Sequence, residues 1–72
     1  MNNFGSRLRQ LRQERNLYQK HVAEALGLTS VAIVYYEGGK RSPSLEIFEQ
    51  LCHFFDVSAD YLLGLSDDPK RK

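Results

Sequence analysis

One stretch of this chain leaves little freedom about how it folds: Gln19 to Glu37, QKHVAEALGLTSVAIVYYE. Val22, Ala23 and Leu26 share one face of a helix over about 19–26, with Lys20, His21 and Glu24 toward water. Gly27 follows, where helices commonly end in a left-handed residue that glycine adopts without the steric cost of a Cβ. Thr29 offers a hydroxyl N-cap for a next helix over about 30–37, and Gly38-Gly39 stops it abruptly. The rest of the chain reads as support for this pair.

Upstream, Phe4, Leu8 and Leu11 form a narrow apolar stripe at spacings of four and three, which predicts a helix over about 3–15 that ends near Asn16. Downstream, a basic connector Lys40-Arg41-Ser42-Pro43 leads to Ser44, a cap for a helix over about 45–55. Glu46, Glu49, Gln50 and His53 mark its wet face. Leu45, Ile47, Phe48, Leu51, Cys52, Phe54 and Phe55 cover more than half its circumference, so this helix is expected to be packed from two sides and central. Ser58 caps a last helix over about 59–63, with Tyr61, Leu62 and Leu63, before Gly64. The expectation is one all-α, five-helix domain over residues 1–65, with 66–72 (SDDPKRK) as a disordered polar tail.

With 72 residues and 42% hydrophobic content there is material for one core. No run is long enough to span a bilayer and the first residues do not read as a signal peptide, which argues for a cytoplasmic protein. The single Cys52 excludes an internal disulfide, and with two histidines it falls short of a zinc set. Cys52 beside His53 is not a nucleophile–base pair, because consecutive helix positions diverge by about 100°. Cys52 therefore reads as buried core, and no cofactor, small-molecule substrate or enzymatic activity is expected. Net charge is +1, but it is unevenly spread: seven basic residues against three acidic in 1–41, and three against six in 42–72. The positive half contains the opening stretch, which suggests an anionic partner there.

The order Leu17-x-Gln19, Val22-Ala23-x-x-Leu26-Gly27-Leu28-Thr29, Ile33-x-x-Tyr36-Glu37-x-Gly39-Lys40-Arg41-x-Pro43, Leu51, Val57-Ser58 and Asp60-Tyr61-Leu62-Leu63 resembles the Cro/C1-type (XRE-like) helix-turn-helix domain of phage and bacterial repressors. The resemblance implies a lambda-repressor-like fold that binds double-stranded DNA as a homodimer on a pseudo-palindromic site, in a bacterial or phage-encoded, nucleoid-associated regulator. It places 30–37 in the major groove with 19–26 across the backbone. On that basis Ser30, Val31, Val34 and Tyr35 face the bases, while Tyr18, Gln19, Thr29, Lys40 and Arg41 are placed at phosphates. Arg12 and Glu37 correspond to a pair that locks the recognition helix, with Ile33 and Tyr36 as its support, and Tyr61, Leu62 and Leu65 lie where the family forms its two-fold contact.

Two features depart from the family pattern. The reading face is apolar: only Ser30 and Tyr35 can hydrogen-bond a base edge, and Val31 and Val34 are suited to thymine methyl groups. The same face motivates a second reading, a protein-interaction module that takes a protein partner on 30–37. Tyr18 stands where a Ser or Thr cap is usual, and it cannot cap in that way, so the second helix needs Asn16 or water instead. Arg9 and the other first-helix arginines, with His21 and His53, read as solvated surface.

Overall fold

Hydroxyl side chains start three of the five helices, and their placement fixes the order of elements along the chain. The computed structural model describes residues 3–70. It contains α1 (Phe4–Glu14), α2 (Gln19–Leu26), α3 (Ser30–Glu37), α4 (Leu45–Phe55) and α5 (Ala59–Leu63), with no strand among the described residues. Thr29 Oγ1 accepts from the Ala32 N–H at 3.2 Å, Ser44 Oγ from Ile47 at 3.2 Å and Ser58 Oγ from Tyr61 at 3.1 Å, each satisfying a donor that the first turn leaves without an intrahelical partner. α1 is shorter than the expected 3–15, because Arg15 leaves helical geometry and Asn16 turns the chain at φ 56°. Asp56 ends α4 at φ 55°, so two of the left-handed stops are made by the non-glycine types that best tolerate them.

The core runs through all five helices: Phe4, Leu8 and Leu11 of α1, Val22 and Ala23 of α2, Ile33 and Tyr36 of α3, Phe48, Leu51, Cys52 and Phe55 of α4, and Leu62 of α5. α4 is not the enclosed centre that its composition suggests. Leu45 stands in its first turn, directly after the Pro43-Ser44 connector, and is 87% exposed, while Ile47 and Phe54 are only partly buried. The middle place belongs to α1, which packs on α3 and α5 and sets the Phe4 ring 6.5 Å from Tyr36 and 5.8 Å from Phe48.

Two arginines expected to be solvated, Arg7 in α1 and Arg15 just after it, act as tethers. Arg7 donates to the Tyr61 carbonyl at 3.0 Å, the Ser66 carbonyl at 2.7 Å and Asp67 Oδ1 at 2.7 Å, with its guanidinium 4.3 Å from the Tyr61 ring centre. Arg15 donates to the Phe55 carbonyl at the end of α4. Carbonyls in a last helical turn lack intrahelical partners and carry partial negative charge, which is what these cations meet. Residues 66–70, expected to be loose, are held on α5, since the Ser58 N–H also donates to the Pro69 carbonyl at 2.9 Å. Arg71 and Lys72 of the expected tail lie outside the described residues, as do Met1 and Asn2. No helix among the described residues is long and apolar enough to cross a membrane.

Gly5 sets how closely α1 meets α3. A Cβ there would stand 2.5 Å from the Glu37 carbonyl oxygen and 2.7 Å from that of Tyr36, and neither backbone atom can step aside alone. Gly5→Ala should therefore destabilise the fold by about 2 kcal/mol through forced separation of the helices, against the roughly 1 kcal/mol gain that alanine gives in an open helix. Urea unfolding distinguishes the two, and a more stable variant would contradict the close crossing.

Candidate nucleic-acid interface

Glu37 is the last residue of α3, and its carboxylate has no contact with solvent. Arg12 grips it with both ends of the guanidinium fork, Nε to Oε2 at 2.7 Å and Nη2 to Oε1 at 3.0 Å. The same Oε1 accepts from Gln19 Nε2 at 3.2 Å and from Arg9 Nε at 3.5 Å. Arg12 further donates from Nη1 to the Leu17 carbonyl at 2.9 Å. One buried anion thus ties α1, the entry to α2 and the end of α3 together. The hydrogen bond to Glu37 raises the Arg12 pKa above its ordinary value, against the lowering effect of burial, and the carboxylate's charge adds to the rise. A cation with a raised folded-state pKa contributes stability that is fully present below its unfolded pKa and is lost as pH rises through the folded one. That window is far on the alkaline side, so the tie persists through the neutral range.

With that end fixed and Ile33 and Tyr36 buried beneath, the opposite side of α3 is left outward. Ser30 is exposed, Val31 is 56% exposed, Val34 44% and Tyr35 38%. The four expected base-facing residues therefore share one outer surface, and the four expected support residues, Arg12, Ile33, Tyr36 and Glu37, lie behind it. The phosphate candidates fall at helix ends: Tyr18 and Gln19 at the start of α2, Thr29 at the cap of α3, and Lys40 and Arg41 in the loop after it. Gly39, at φ 74°, turns the chain so that the Lys40 N–H donates to the Tyr35 carbonyl at 3.0 Å.

The start of α2 uses a cap that differs from either expected substitute. The Tyr18 phenol makes no cap bond, but the Tyr18 N–H donates to His21 Nδ1 at 3.0 Å, and the two rings stack with centres 5.4 Å apart. His21 therefore fills the returning half of a capping box, the role Glu or Gln usually takes three residues past the cap, and that spacing is the signal the sequence carries for it. Gln19 and Arg9 are further partners of Glu37 that the sequence does not announce. Arg9 lies three residues before Arg12, a spacing that puts both on one helix face. Of the expected two-fold contact residues, Leu62 must be withdrawn: it is 0% exposed, sealed by the inward face of α5, whereas Leu65 beyond Gly64 is exposed and Tyr61 is half-buried under Arg7.

The helix-turn-helix domain family matches this chain over residues 3–68. The chain belongs to the Cro/C1-type helix-turn-helix family. Among curated members it is 41% identical, over 96% of its length, to an uncharacterised HTH-type transcriptional regulator, YobD, of Bacillus subtilis. It is 39% identical over 89% of its length to the cryptic phage CTXphi transcriptional repressor RstR of Vibrio cholerae. The chain spans 62% and 58% of the lengths of those two relatives. Among solved structures, the P22 c2 repressor in complex with a synthetic operator superposes with a TM-score of 0.82 at 28% identity, covering 88% of this chain and 96% of that one. The N-terminal DNA-binding domain of SinR from Bacillus subtilis gives 0.78 at 26%, covering 88% and 93%. The all-α five-helix architecture is thus that of the repressor domains of this family.

In a Cro/C1-type domain built this way, the Arg12–Glu37 tie should dominate the stability of the helix-turn-helix. Arg12→Ala leaves a fully buried carboxylate with only Gln19 and a half-exposed Arg9, and should cost about 3 kcal/mol in urea unfolding. Arg12→Ala combined with Glu37→Ala should cost clearly less than the two single losses added together, because no unmatched charge then remains. Additive losses would contradict the tie.

Proposed function

We propose that this chain binds double-stranded DNA as the recognition domain of a transcriptional regulator, with α3 in the major groove and two copies on a pseudo-palindromic site. The observation that carries the reading is the outer face of α3: it is exposed, held from behind by the Glu37 tie, and followed in the chain by a basic loop that brings Arg41 over Tyr35. The operator-bound P22 c2 repressor, which the fold matches closely, supports it. Gln19 spends one amide hydrogen on Glu37 and keeps a second for a phosphate, so the same side chain registers the backbone and the position of α3. Arg9 is 54% exposed and adds a further positive charge to this flank.

Specificity on this reading comes from contact rather than bidentate hydrogen bonds. Val31 and Val34 fit the C5-methyl groups of thymine, and Ser30 and Tyr35 supply the hydroxyls that reach base edges. Leu65 and the exposed part of Tyr61 are the remaining candidates for the two-fold contact, which would set the recognition helices about 34 Å apart. The exposed valines also favour a second reading, in which this face meets a partner protein; a stoichiometric protein complex unaffected by competing duplex would support that one.

Fluorescence anisotropy on random and selected duplexes tests the proposal. Binding should weaken steeply with salt, with a log–log slope of about −0.9 for each phosphate engaged. Lys40→Ala should weaken all duplexes alike and flatten the slope by about one, whereas Tyr35→Ala should re-rank them. Absence of binding to every duplex, or binding indifferent to salt, would contradict it.

A further inference from the structure

The loop after α3 does more than leave the helix. Three backbone bonds fold it back over the last turn: Gly38 N–H to the Val34 carbonyl at 2.9 Å, Gly39 to Tyr36 at 3.3 Å and Lys40 to Tyr35 at 3.0 Å. The consequence is that Arg41 returns over the helix it has just left, with its guanidinium carbon 5.7 Å from the centre of the Tyr35 ring. A guanidinium within about 6 Å of a ring face is attracted by the ring's quadrupole, and its planar shape stacks where an ammonium does not. Tyr35 is 38% exposed, with Arg41 over its ring, while Val31, one turn back, is 56% exposed.

From this geometry we propose that Arg41 is a specificity-positioning residue: it holds the Tyr35 ring in one orientation and so decides which base edge the phenol hydroxyl meets. The inference rests on α3 being the DNA-reading helix. It separates Arg41 from Lys40, its neighbour in the same basic loop. A tyrosine on a helix exterior has several staggered positions for its ring, and each would carry the hydroxyl to a different place in the groove. Arg41 removes that freedom before DNA arrives. Its remaining N–H groups stay available to a phosphate, so one side chain links the backbone contact to the base contact. The ligand feature selected is a base-pair edge with a hydrogen-bonding group at the end of the half-site that the C-terminal turn of α3 faces.

A double-mutant cycle read on duplexes varied at each position of the selected site tests this. Arg41→Ala should reduce discrimination at the same base position as Tyr35→Phe, by about three- to tenfold, in addition to a general loss of affinity. In a Tyr35→Ala background Arg41→Ala should no longer change the ranking of duplexes. Arg41→Lys, which keeps the charge and loses the stacking plane, should retain most of the affinity and lose the discrimination. If Arg41→Ala scales all duplexes equally, or if its effect on ranking survives in Tyr35→Ala, Arg41 is a phosphate contact only and the inference fails. Loss of all duplex binding by the unsubstituted chain would instead overturn the functional reading on which it rests. Both side chains are on the surface, so folding is not at stake, and circular dichroism verifies this for each variant.

Discussion

The structure depends on a single buried carboxylate. Glu37 contributes one negative charge at the end of α3, and groups from α1 and the start of α2 converge on it. A lone carboxylate without water is strongly unfavourable, and it becomes tolerable only where donors are already aimed at it. Each of these donors belongs to a helix whose direction is thereby restricted. Gly5 then permits α1 to approach the carbonyls of Tyr36 and Glu37 closely enough for Arg12 to reach. The polar tie and the missing Cβ are two parts of one crossing.

This crossing makes the two sides of α3 unequal. The side with Ile33, Tyr36 and Glu37 belongs to the core, and the side with Ser30, Val31, Val34 and Tyr35 is left open to solvent. An eight-residue helix has almost no intrinsic stability in water, so its rigidity comes from what holds it. Thr29 fixes its start, Glu37 its end, and the folded-back loop sets Arg41 over the Tyr35 ring of its outer face. The proposed recognition by methyl contact and shape needs such rigidity, because apolar contacts supply little direction of their own.

Much of this is legible in the residues. The starts of α3, α4 and α5 follow from Thr29, Ser44 and Ser58 as caps and the ends of α2, α3 and α5 from Gly27, Gly38 and Gly64 as stops, because these signals are local and act through the backbone. The Arg12–Glu37 pairing is legible only through family resemblance, since nothing local links two residues so far apart. The features that stay hidden are also non-local. Gly5 carries no local signal of its role, which shows only against the neighbouring backbone. Arg7 and Arg15 read as solvated until the carbonyls of α4 and α5 arrive beside them. Leu62 and Leu65 differ by less than one turn, but α5 turns the first inward and Gly64 releases the second. Leu45 misleads for the opposite reason, because apolar composition alone does not bring a first-turn residue within reach of a core.

If the Glu37 tie is the frame of the reading helix, it must be a permanent one that DNA binding leaves untouched. Two-dimensional NMR of the Arg12 Nε–H, followed while a selected duplex is added, tests this most directly. The prediction is a slowly exchanging Nε–H signal in the free protein that keeps its position through the titration, while the amides of Val31, Val34 and Tyr35 shift. An Arg12 signal that exchanges freely, or that moves away as duplex is added, would contradict it.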